Sequence, residues 1–179
     1  MDMTAYILLF RGVGGATQLP TAPLREALAG AGFEAVATYI NSGNAVLRTA
    51  LTREEVIASV AEICADGFGF TKAIHARTLA EWEALIANNP FPGFEAGKHL
   101  HAAVLAGDPA PGAIEGLRTH AVSGESIEVV GRVAYLHTPG GFGTSKLAEK
   151  FDRGIGVANT ARNWNTVLKL QELARKAAG

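Results

Sequence analysis

The stretch Thr4–Phe10, TAYILLF, followed at once by Arg11–Gly15, RGVGG, decides the fold. Every residue of TAYILLF after the threonine is apolar, and there is no polar alternation. So short an unbroken apolar run reads as a central strand buried on both faces. The elements after it come in a definite order. In TAPLREALAGAGF (21–33), Leu24, Ala27, Leu28 and Ala31 fall at i, i+3, i+4 and i+7. That spacing predicts an amphipathic helix, with Gly32 where a left-handed C-cap belongs. EAVATYI (34–40) and AVLRT (45–49) are strand-like, joined by NSGN (41–44), a hairpin turn in which Gly43 supplies positive φ. TREE (52–55) is a capping box: Thr52 covers the Glu55 amide and the Glu55 carboxylate reaches back. Its helix turns Ile57, Val60 and Cys64 inward, and FTKAIHA (70–76) makes a fourth strand. Strand, helix, strand, strand, helix, strand is the order of a ferredoxin-like half.

The order then repeats without residue-level identity. TLAE (78–81) is a second capping box, opening a linking helix with Leu79, Trp82 and Ile86 on one face. Asn89-Pro90 stops that helix, and NPFPGFEAGK (89–98) is a loop. HLHAAVLA (99–106) is a strand and PGAIEGLRTHA (111–121) a short helix. ESIEVV (125–130) and VAYLHT (133–138) pair across Gly131-Arg132, SKLAEKF (145–151) opens another helix, and GVANTA (156–161) is a short edge strand. A final helix runs from about Asn165. The expected architecture is α+β, with two ferredoxin-like halves and an added C-terminal helix. Residues 1–78 form the first half, 79–98 the linking helix and loop, and 99–179 the second half.

Composition narrows the function. Sixteen basic and seventeen acidic residues leave a net charge of −1, and no Lys/Arg run provides the basic stripe that extended nucleic-acid binding requires. A local anion site remains compatible with that balance. A lone cysteine, Cys64, forms no internal disulfide, as expected in a reducing cytoplasm. AYILLF (5–10) is too short for a signal peptide, and no apolar run reaches the roughly 20 residues of a membrane span. A cytoplasmic, non-membrane protein is the expectation.

Four segments in order, LLFRGVGG (8–15), TYINSGNAVL (38–47), NPF (89–91) and SKL (145–147) with TARNWNTVLKL (160–170), carry a resemblance. Together they resemble the bacterial family designated domain of unknown function sixteen ninety-seven. The resemblance implies paired ferredoxin-like halves and no assigned activity. The loop after the first strand is two residues shorter here than the family's common form.

Several groups are candidates for chemistry. The loop RGVGG follows a strand and precedes a helix, so amides near Gly12, Gly14 and Gly15 are placed for an anion nest beside Arg11. It is not a dinucleotide fingerprint, because Thr17 stands where the third glycine belongs. TPGGFGTSK (138–146) offers hydroxyls, amides and Lys146 at a helix start, equally the mark of a Ser/Thr N-cap. Asn41 and Asn44 flank the hairpin turn, where asparagine is favoured on conformational grounds alone. In acylphosphatases, also ferredoxin-like, an Arg after the first strand and an Asn on the second handle the phosphoryl group; Arg11 and Asn41 hold loosely comparable places. His99 and His101 read as an exposed strand-edge pair, short of the ligand number that zinc wants. In RNWN (162–165), one Asn caps the last helix and Trp164, just outside it, anchors the entry. Arg162 and the second Asn are surplus beside an electropositive helix start.

Three readings follow. The first is a module binding a small anionic or phosphorylated ligand through Arg11, Gly12, Gly14, Gly15, Asn44, Lys146, Arg162 and Asn163, with no cofactor and no metal. The second is a phosphoryl- or acyl-transfer enzyme using Arg11 with Asn41 or Asn44. The third is a protein-interaction or regulatory module with no small-molecule ligand, compatible with a homodimer formed through strand edges.

Overall fold

In the computed structural model, which describes residues 2–14, 17–40, 43–95 and 97–179, TAYILLF is β1 (Thr4–Phe10), buried at every position after Thr4. Its even residues Tyr6, Leu8 and Phe10 build a core with Leu24 and Leu28 of α1 (Thr21–Gly30) and Val56, Val60 and Cys64 of α2 (Arg53–Phe68). Its odd residues Ala5, Ile7 and Leu9 are buried as well, so neither face of the strand is wet. Burying a Leu or Ile side chain contributes roughly 1.5–3 kcal/mol, and β1 collects that contribution on both sides. Cys64 lies in this core, where burial pushes its thiol up to about 11. It acts there as a small apolar side chain.

Strand β1 pairs antiparallel with β3 (Asn44–Thr49) and with β4 (Ile74–Thr78), while β2 (Glu34–Thr38) adds outside β3. The sheet order is β2-β3-β1-β4. Gly32, at φ +97°, ends α1 by letting the Phe33 amide reach the Leu28 carbonyl at 3.2 Å. Two details differ from the sequence reading. Val56 takes the inward position that periodicity gave to Ile57, which is only partly buried. The fourth strand begins at Ile74 instead of Phe70. Gly69, at φ +64°, closes α2, and Phe70 turns into the core edge-on to Phe10 at 5.9 Å before the chain extends.

The second set of elements repeats the first. β5 (Leu100–Leu105) lies between β7 (Val133–His137) and β8 (Asn159–Asn163), with β6 (Ser126–Val130) outside β7. The order β6-β7-β5-β8 matches β2-β3-β1-β4 strand for strand. α4 (Ala113–Arg118) and α5 (Lys146–Gly154) supply Leu117, Leu147 and Phe151 to a core with Ala103, Leu105 and Leu136. Tyr135, on the other face of this sheet, is buried and its hydroxyl donates to the Leu85 carbonyl at 2.6 Å. Burial holds that phenol up at about 12. α3 (Leu79–Ala87) and α6 (Trp164–Ala178) complete the chain. The fold is therefore α+β with two ferredoxin-like halves. The chain divides into two compact units, residues 1–84 with 169–179, and residues 85–168. No helix among the described residues is long and apolar enough to cross a membrane.

The edge strand expected at 156–161 runs from Asn159 to Asn163. Its ladder with β5 extends from Leu105↔Asn159 to His101↔Asn163, so Arg162 and Asn163 are strand residues and Trp164 begins the helix instead of preceding it.

Both capping boxes form. The Thr52 hydroxyl accepts from the Glu55 amide and the Glu55 carboxylate accepts from the Thr52 amide at 2.8 Å. Thr78 and Glu81 repeat the exchange at the start of α3. A Thr52→Ala chain is expected to lose about 1 kcal/mol in urea unfolding. The bonds from Thr52, its backbone amide first, hold the Glu55 carboxyl below its ordinary range. Its folded value is depressed, so its contribution is complete above the unfolded pKa and fades as pH falls through the folded one. Glu55→Gln should therefore flatten part of the acid-side loss of stability, which unfolding curves at paired pH values will measure.

Candidate functional site

In the second unit, Gly107–Gly112 (GDPAPG) leads from β5 to α4. Two prolines keep this loop out of helical pairing. The Ala110 amide donates to the Ile155 carbonyl at 3.1 Å, which ties the loop to the end of α5. Glycine permits that approach: at Gly156, φ is +71° and a Cβ would stand 2.5 Å from the Ala110 Cβ. At Gly154 a Cβ would stand 2.5 Å from the Leu117 Cδ2, so α4 and α5 also close on a missing side chain. Between loop and helices is a cavity of about 410 Å³, lined by Ala110, Gly112, Leu117, His120, Lys150 and Arg153 among others.

The sequence of α5 explains how the cations arrive there. KLAEKFDRG buries Leu147 and Phe151 in the core. Lys150 and Arg153, three apart, therefore share the face beside the cavity. Among the described residues, no acidic one lines it. Among the described residues, neither cation has an ion-pair partner, whereas Lys146 one turn earlier pairs with Glu149 at 3.5 Å. Arg153 also lies in the last turn of α5, where a cation offsets the helix dipole. Lys150 has no such structural explanation. A concave wall carrying one sign of charge concentrates counter-ions.

The residues singled out in sequence lie elsewhere. Arg11, Gly12, Gly14 and Asn44 belong to the first unit, and Gly15 and Asn41 lie outside the described residues. The Arg11 amide donates to the Ala73 carbonyl at 3.0 Å, and the Gly14 amide to the Thr17 carbonyl at 2.7 Å. Gly12, at φ +73°, lies under the Lys72 side chain: a Cβ there would stand 2.8 Å from Lys72 Cδ and 3.0 Å from Nζ. Lys72 was not singled out, although antiparallel β1 and β4 necessarily set the residue after one beside the residue before the other. Asn44 is buried, its side-chain amide donates to the Tyr39 carbonyl at 3.3 Å, and its own carbonyl accepts from Tyr39.

Lys146, Arg162 and Asn163 belong to the second unit. Ser145 caps α5 by accepting from the Ala148 amide at 3.1 Å, and the Thr144 hydroxyl donates to the Gly140 carbonyl. That glycine loop thus ends in an ordinary N-cap. Arg162 donates to the Thr160 hydroxyl at 2.6 Å and to the Ala161 carbonyl at 2.8 Å. Asn163 Oδ1 accepts from the Thr166 amide at 3.0 Å, making it the cap of α6. The histidine pair is corrected too. His99 precedes the strand, and β5 is central instead of an edge. His101 stacks on Phe142 with ring centroids 3.8 Å apart, and burial pushes its imidazole down to about 4.

Asn163→Ala should lower stability by about 1 kcal/mol, while Asn163→Asp, which keeps an acceptor at the same place, should retain most of it. Urea unfolding of the two variants checks this.

Comparison with known proteins gives fold and family. A conserved bacterial protein of Streptococcus pneumoniae, SP0830, has a solved structure that superposes with a TM-score of 0.76 at 20% identity, over 97% of this chain and 99% of that one. At this identity the likeness establishes a shared fold. No curated protein matches the chain. The family model described as protein of unknown function, DUF1697, matches residues 3–135. That span takes in LLFRGVGG, TYINSGNAVL and NPF and stops short of TARNWNTVLKL. With most of its length matched, the chain belongs to the DUF1697 family.

Proposed function

We propose that the protein is a binding module for a small anionic ligand, phosphate- or carboxylate-bearing, seated in the cavity between α4 and α5. The observation that carries this reading is the cavity's lining: its fully charged side chains, Lys150 and Arg153, are both cationic. Arg153 would meet an oxyanion with its planar fork, and Lys150 would act as a point charge. His120 adds a ring nitrogen at the same wall. The pocket's size falls within the range of about 300–1,000 Å³ usual for small-molecule sites.

A second reading places the anion at the first glycine loop, where Lys72 lies across Gly12 next to Arg11. It keeps the RGVGG loop as a nest, though the Gly14 amide is already engaged with Thr17. Phosphoryl or acyl transfer at that loop has less support, because the side-chain amide of Asn44 closes its own turn. Pairing of two copies through strand edges would use the outer strands β2, β4, β6 or β8.

Titration with inorganic phosphate tests the choice. The Hε1 resonance of His120 is expected to shift saturably, and Lys150→Ala or Arg153→Ala to weaken binding about tenfold each. Arg11→Ala and Lys72→Ala should leave that curve unchanged. Binding lost in Arg11→Ala or Lys72→Ala but intact in Lys150→Ala transfers the site to the glycine loop. Neither response rejects both.

A further inference from the structure

A second concavity of the same unit uses none of these cations. It starts from the segment NPFPGF (89–94). Asn89 Oδ1 accepts from the Phe91 amide at 3.0 Å, and the Phe94 amide donates to the Phe91 carbonyl at 3.1 Å. Pro92 stands second in that turn and Gly93 third, at φ +89°, the composition a type II turn requires. The turn sets both phenyl rings against His137 of β7, Phe94 at 4.7 Å between centroids and Phe91 at 5.8 Å. Phe94 is nevertheless 55% exposed. A large aromatic fixed by a Pro-Gly turn and left that open is presented, not packed away.

Ser126, Pro139 and His99 line the same concavity. Gly124 lets Pro139 lie close: a Cβ there would come 3.3 Å from Pro139 Cγ. The Thr138 amide donates to the His99 carbonyl at 2.8 Å, which fixes His99 beside the end of β7. The concavity has a volume of about 490 Å³. Among the described residues, no carboxylate, ammonium or guanidinium lines it. A charged ligand would therefore meet no counter-ion. Burial, and next the nearby His99, lower the pKa of His137, which favours its neutral ring. A neutral His137 ring and the Ser126 hydroxyl can donate to and accept from the edge of a heterocycle.

We propose that this cavity binds a neutral planar heteroaromatic ring of nucleobase size, stacked on Phe94 and addressed along its polar edge by His99, His137 and Ser126. The inference is independent of the anion site, since it uses none of Lys150, Arg153 or His120. Adenine and indole are the probes, with benzamidine and benzoate as cationic and anionic counterparts. The reporters are the Hε1 resonances of the five histidines. Adenine or indole should shift His99 and His137 saturably and leave His120 in place. Phe94→Ala should weaken binding about tenfold or more, and Phe94→Leu, which keeps apolar area without a stacking face, should recover little of it. Because Phe94 is largely exposed, both variants are expected to fold, checked by their far-ultraviolet circular dichroism and unchanged His101 resonance. The proposal is overturned by unshifted His99 and His137, by equal affinity in Phe94→Ala, or by tighter binding of benzamidine or benzoate. Equal affinity in Phe94→Ala would leave Phe94 only the task of holding its loop against His137.

Discussion

Each unit depends on one constraint: a central strand whose side chains are almost wholly apolar must have its backbone paired on both edges. In β1 and β5, buried N–H and C=O groups left open would each cost as much as a lost hydrogen bond. β3 and β4 meet the requirement for β1, and β7 and β8 meet it for β5. The same pairing then positions the loops. The Phe10 amide reaches the Gly43 carbonyl at 2.9 Å and the Arg11 amide reaches that of Ala73, so three segments distant in sequence meet where β1 ends. In the second unit the Ala106 amide reaches the Ala158 carbonyl at 2.8 Å, and Ala110 reaches Ile155. The cavity between α4 and α5 is built on that second set of ties.

The two units therefore compare the same topology with different side chains. The loop after the first strand is RGVGG in one and AGDPAPG (106–112) in the other. The helix corresponding to α5 is α2, whose last turn has no basic residue. α5 instead brings Lys150 and Arg153 to the loop. Where the first unit places cations, they come from the strand ends, as Arg11 and Lys72. Duplicated element order fixes where a site can be. It does not fix which residues fill it, consistent with function residing in sites grafted onto a fold.

What could be read from the sequence was what local chemistry determines. The unalternated run 4–10, the i, i+4 spacing of α1 and the two Thr-x-x-Glu boxes each report a structure made by neighbours in the chain. FTKAIHA misled because Phe70 looks like a strand residue but serves as a plug against Phe10 behind a glycine stop. His99 and His101 suggested an exposed edge because strand order within a sheet cannot be read from one strand. The two cavities were out of reach for a similar reason. One depends on Gly154 meeting Leu117 and Gly156 meeting Ala110, the other on a Pro-Gly turn folding back onto His137. In hindsight KFDRG carried a signal, two cations three apart on a helix whose other face is strongly apolar.

The segment RNWN shows how crowded polar residues can all be engaged in building structure. β8 passes into α6 with no loop between them, so a strand end and the unpaired amides of a helix start coincide. Asn163 serves both elements, and the Trp164 amide donates to the Gly97 carbonyl at 3.1 Å. Asn165, surplus by capping logic, packs where a side chain at position 97 would otherwise stand, which requires Gly97 to be glycine. Arg162 reaches back along its own strand to Thr160 and Ala161. All four polar or amphipathic groups thus have structural work within a few residues or against one loop. Lys150, with no ion pair and a concave wall beside it, has none among the described residues. An exposed cation that the fold does not require is the better guide to where a ligand's charge would be met.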